Sequence, residues 1–98
     1  MAGTHDLLVN LIGKAISTGK KVTPHSRDNS FFAGRISAFC HSAAMTADLL
    51  YSADFDQAKH VIMREVEDVH LSWSTADLRD EGRVGAEATR IAVKVLAA

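Results

Sequence analysis

Residues 54–73, DFDQAKHVIMREVEDVHLSW, decide the fold class. Within them Phe55, Ala58, Ile62, Val66, Val69 and Trp73 recur at steps of three and four, which puts all six on one side of an α-helix. Lys59, Arg64, Glu65, Glu67 and Asp68 fall mostly to the sides and back. Asp54 followed by Gln57 has capping-box spacing, in which each side chain satisfies a backbone N–H left free at the helix start. A β-strand would need apolar residues at every second position, and the chain lacks that alternation.

The same reasoning extends in both directions. Ser74 and Asp77 repeat the capping-box spacing, so a fourth helix is expected near residue 75. Gly82 and Gly85 lower helix propensity by up to about 1 kcal/mol each, which predicts a kink near 82–85. Val84, Ala88, Ile91, Ala92 and Val95 then restore an apolar stripe. Toward the N-terminus, Thr4 is the expected cap of a first helix over about 5–18. Its stripe is Leu8, Leu11, Ile12, Ala15 and Ile16, and Gly19 ends it.

Between them Phe32, Ile36, Phe39, Ala43, Ala47 and Leu50 form one stripe of a second helix, with Ser30 as its cap. Phe31, Ala38, Met45 and Leu49 occupy its other faces, so this helix reads as apolar nearly all round and therefore buried. Its small residues Gly34, Ala38, Ala43, Ala44 and Ala47 permit close helix approach. The expected fold is thus all-α: one domain over residues 1–98, a compact bundle of about four helices. The second is central and the third and fourth antiparallel, with a real prospect of a homodimer seam on helix two or the C-terminal helix.

Composition agrees with a packed domain. At 47% hydrophobic and 23% charged residues, the chain sits away from the polar compositions that stay disordered. No apolar run has the length of a membrane span, and the N-terminal residues lack a signal-peptide pattern, so the expectation is a cytoplasmic protein. The single cysteine, Cys40, excludes an internal disulfide and a thiolate zinc cage, and its apolar neighbours mark a buried small hydrophobe.

Residues 17–29, STGKKVTPHSRDN, hold the only proline, Pro24, and read as an unusually long polar loop between helices one and two. Long ordered loops often carry binding function. Five cations face two acids through residue 36, whereas six cations meet ten acids beyond it, within a net charge of −1. That asymmetry predicts two kinds of surface. Lys20, Lys21, His25, Arg27, Ser30 and Arg35 surround the expected N-terminus of helix two, whose free N–H groups attract phosphate or carboxylate. No Walker spacing accompanies them. Glu65, Glu67, Asp68, Asp77, Asp80 and Glu81 form a candidate acidic patch for a basic protein partner.

Glu67 and His70 show the Glu-x-x-His spacing of di-iron bundles, yet the motif occurs once and such sites need it twice. His41 and Asp48 share a helix face without a third ligand, so neither metal nor cofactor is expected. The string AFCHSAAM at 38–45 resembles the phosphoacceptor helix of histidine phosphotransfer domains, four-helix bundles of about this size. Where that family follows its histidine with a lysine and a small residue, this chain has Ser42, Ala43 and Ala44, and no site is carried over. No Ser/His/Asp order or buried carboxylate pair marks a catalytic site. The functional expectation is a small non-enzymatic interaction protein (adaptor, inhibitor or regulatory subunit), homo-oligomeric and acting through helix faces. The alternative is a binder of a phosphorylated small molecule, nucleotide or nucleic-acid backbone through residues 17–29 and the start of helix two.

Overall fold

A computed structural model describes residues 5–97. The described residues form α1 (Asp6–Thr18), a 3₁₀ turn (Gly19–Lys21), α2 (Asn29–Tyr51), α3 (Phe55–Ser72), α4 (Thr75–Arg79) and α5 (Glu81–Ala97), with no strand among them. The chain is all-α. Thr4, the expected cap of α1, lies outside the described residues; His5 precedes the helix and makes no side-chain capping bond.

Helix starts follow the capping chemistry where a short polar side chain is available. Asp54 Oδ1 accepts from Gln57 N at 2.9 Å, the Asp54 half of the expected box. Ser74 and Asp77 complete theirs: Ser74 Oγ accepts from Asp77 N and Asp77 Oδ2 from Ser74 N, each at 3.1 Å. The kink expected at 82–85 is corrected. The break falls at Asp80, in extended backbone, and its carboxylate accepts from Arg83 N at 3.1 Å to start α5. With that cap in place Gly82 and Gly85 sit within a continuous α5. Tyr51 ends α2 against Ser52, which adopts a left-handed φ of 57°, and Ala53 N closes the end on Ala47 O at 3.1 Å.

The core draws on α1, α2, α3 and α5, with α1 against α2 its most extensive pairing. Leu8, Ile12, Ala15 and Ile16 of α1 are fully buried, against Ala58, Ile62, Val66 and Val69 of α3 and Val84, Ala88, Ile91, Ala92 and Val95 of α5. α1 packs on α2, α3 and α5, and α2, expected at the centre, packs most on α1 and α3. The buried residues of α2 are small: Cys40, Ala43, Ala44 and Ala47. Its expected all-round burial is corrected accordingly. Leu49 is 75% exposed, Phe31 61%, Leu50 60% and Met45 43%. A helix buries its whole circumference only when neighbours cover every side, and here only α1 and α3 cover α2 substantially.

Residues 17–29 are likewise not a single long loop. Ser17 and Thr18 remain helical, with Thr18 Oγ1 donating to Lys14 O at 2.7 Å, and Val22 N then closes the 3₁₀ turn on Gly19 O at 3.2 Å. Only residues 22–28 are irregular, and the side-chain amide of Asn29 staples them. Its Oδ1 accepts from Thr23 N at 3.1 Å while its Nδ2 donates to Thr23 O at 2.5 Å. α2 therefore opens at Asn29, after Asp28, and Ser30 lies inside its first turn instead of capping it.

Candidate functional site

The C-terminal end of α1, the 3₁₀ turn and the first half of α2 enclose an open cleft of about 420 Å³. Lys14 reaches it from α1, Lys20 and Lys21 from the turn, and Arg35 from α2; Phe31, Phe32 and Phe39 supply its aromatic wall and Ser17 and Thr18 its hydroxyls. Among the described residues no carboxylate lines it. The helical period brings these groups together: Phe31, Arg35 and Phe39 are spaced by four along α2.

Three of the four cations rest on ring faces. The Arg35 guanidinium lies 5.3 Å from the Phe39 centroid and 5.8 Å from that of Phe31. Lys21 Nζ stands 5.6 Å over Phe32, and Lys14 Nζ 6.0 Å over Phe39. Such contacts hold a long side chain for about 0.5–1 kcal/mol at an exposed site while leaving its N–H donors unspent. None of these three, nor Lys20, forms an ion pair among the described residues.

Of the anion-binding residues expected from sequence, Lys20, Lys21 and Arg35 meet in this cleft, whereas His25, Arg27 and Ser30 do not line it. The irregular segment carrying His25 and Arg27 is exposed, and Asp28 places a carboxylate at the start of α2 where an anion was expected. Sequence reasoning missed Lys14 because it lies within α1, and assigned the phenylalanines to the core. The i, i+4 run Phe31, Arg35, Phe39 was the available signal.

The six acids are divided by their structural duties. Glu65 of α3 accepts from Arg90 at 2.6 Å and from Lys94 at 3.1 Å, so α3 is tied to α5. Those hydrogen bonds, led by the one from Arg90, hold the Glu65 carboxyl below the usual carboxylate range. Asp77 caps α4 and pairs with Arg83 at 2.9 Å; its bonds with Ser74 lower its pKa most. Arg83 also covers the Trp73 ring, 4.6 Å from its centroid. Asp80 caps α5, which leaves Glu67, Asp68 and Glu81 as exposed acids of the set without these duties.

A second, apolar groove of about 230 Å³ runs between α2 and α3, with Ile36, Cys40, Met63, Val66 and Leu71 in its walls and Glu67 and His70 beside them. His70 is committed elsewhere: its Nε2 donates to Ile16 O at 3.0 Å, pinning α3 to the end of α1. Burial pushes the Cys40 thiol up to about 11. His41 meets Phe55 edge-on, with ring centroids 5.1 Å apart. Among the described residues no group of three or more His, Cys, Asp or Glu side chains is placed to hold a metal ion, and no helix is long and apolar enough to cross a membrane. No protein-family model, curated protein or solved structure matches the chain.

Proposed function

We propose that the protein is a non-enzymatic interaction module that pairs with a second copy of itself through the outward side of α2, the pair then serving as adaptor, inhibitor or regulatory subunit. The observation that carries this reading is the apolar side left open on the C-terminal half of that helix, with Met45, Leu49 and Leu50 all exposed. Soluble chains rarely leave contiguous apolar surface without a use for it. Ala38 and Met45 are seven residues apart, as are Ser42 and Leu49, and all four face outward. That spacing is the repeat of a helix–helix seam, which needs a partner helix of the same repeat. A second α2 has it, and a two-fold axis brings like against like. Ala38 and Ser42 are small enough for the two backbones to approach.

Light scattering during size-exclusion chromatography tests the reading. The wild-type chain is expected to elute at twice its 10.6 kDa mass. Leu49→Glu is expected to elute as a monomer with unchanged helical circular dichroism, because Leu49 contributes little to the monomer core. A wild-type chain that remains monomeric at its highest soluble concentration refutes the proposal.

A further inference from the structure

The seam on α2 leaves the cleft at its N-terminal half unused, and that cleft has a different chemistry. From its geometry we infer that it binds a phosphorylated ligand carrying a flat heterocycle: a nucleotide, either free or as part of a single strand. Four cations from three separate elements converge on it, with no carboxylate beside them among the described residues. The carbonyl end of α1 accounts for lysines at 20 and 21 by itself, but not for Lys14 within that helix or Arg35 well into α2. Convergence from three elements is what an anion with several charged oxygens requires. The volume of about 420 Å³ falls in the range of small-ligand clefts.

The aromatic wall selects among anions. Inorganic phosphate or a simple carboxylate gains nothing from phenylalanine, whereas every nucleobase has a face that stacks on an exposed ring. Phe31 is 61% exposed and lies beside Arg35, so a base can stack where the phosphate is also held. Charge along a groove together with exposed rings is the combination that single-stranded nucleic acid uses, and a mononucleotide offers one unit of the same chemistry.

Fluorescence anisotropy with a labelled twelve-residue oligothymidylate, competed by ATP and by tripolyphosphate, tests the inference on the full chain. Binding is expected to weaken by about 20- to 50-fold between 50 and 200 mM salt, the response for three to four phosphate contacts on a single strand. Phe31→Ala is expected to weaken it by about 5- to 150-fold, the effect of removing one stacking platform. Phe31 is largely exposed, so the variant keeps its fold. Lys14→Ala with Arg35→Ala is expected to abolish binding, while Arg64→Ala, outside the cleft, leaves it unchanged. If ATP competes as well as unlabelled oligonucleotide per site, the ligand is a free nucleotide; if only the oligonucleotide competes, it is a strand. Tripolyphosphate competing as well as ATP, affinity unaltered in Phe31→Ala, or no binding of either probe overturns the inference. Leu49→Glu leaves the cleft untouched, so failure of the dimer and failure of this site read out separately.

Discussion

Gly19→Ala gives a test whose sign turns on one contact. Gly19 has helical backbone angles, φ −57° and ψ −27°, so on backbone grounds alone alanine gains about 0.4–1 kcal/mol by restricting the unfolded chain. A Cβ at that position, however, falls closer than 3.0 Å to Cδ2 and Nε2 of His70, inside any contact a real Cβ keeps. The imidazole must swing away, which breaks its bond to Ile16 O. Losing that part-buried bond costs about 0.5–1.5 kcal/mol, and the lost packing of the ring adds about as much again. The net expectation is a destabilisation of about 1 kcal/mol, or a Tm lower by about 4–8 °C in a domain of this size. Gly85→Ala is the matched control, because nothing stands within 4 Å of a Cβ there. It is expected to stabilise by about 0.5–1 kcal/mol. Urea and thermal unfolding of both variants measure the contrast. The double variant Gly19→Ala, His70→Ala is expected to fall short of the sum of its singles, since the second change removes the obstacle to the first. If Gly19→Ala stabilises the protein as Gly85→Ala does, the packing of α3 against the end of α1 is not as described.

Three further outcomes follow from burial and charge. Ile62→Ala, at a fully buried site, is expected to cost about 2–5 kcal/mol in urea unfolding, whereas Leu71→Ala, at 78% exposure, should cost less than about 0.5 kcal/mol. Cys40, with its thiol pushed up to about 11, is expected to resist alkylation in the native protein at pH 8 and to react promptly in urea; equal rates in both states would contradict its burial. Glu65→Gln should cost about 1 kcal/mol at pH 7. Because the folded carboxyl titrates below its unfolded value of 4.5, its contribution is complete above that pH and is lost as the pH falls through the folded value. Unfolding curves of wild type and variant should therefore converge in acid and separate at neutrality.

The helices were legible because two local signals agree wherever the structure is simple. Residues 54–73 combine a three-four period with a cap, and α3 spans Phe55–Ser72 with Asp54 at its start. The Ser74–Asp77 box was equally legible. Asp80 was missed because an N-cap can stand anywhere a short polar side chain precedes a helix, and two glycines nearby drew the break to themselves. The extent of the loop was overread for a related reason. Polar residues such as Ser17 and Thr18 end helices in sequence statistics, but a hydroxyl can also bond back to the preceding turn, as Thr18 does to Lys14 O.

α2 marks the limit of periodicity itself. An apolar residue at a given position states that water is unfavourable there, not which surface excludes it. Phe32, Phe39 and Leu50 shared one stripe with Ala43 and Ala47, yet only the alanines are fully buried, because α1 and α3 press closest where the side chains are smallest. Of the larger groups on the same helix, Ile36 and Phe39 still pack partly on the core, while those that reach it less meet other partners. At its N-terminal half those partners are cations: Arg35 between Phe31 and Phe39, and Lys21 over Phe32. At its C-terminal half Met45, Leu49 and Leu50 stand exposed. The division follows from the charge gradient in the sequence, since the excess of lysine and arginine ends near residue 36. One helix thereby carries two chemically distinct surfaces, and the difference between them was written in the charges flanking the apolar pattern.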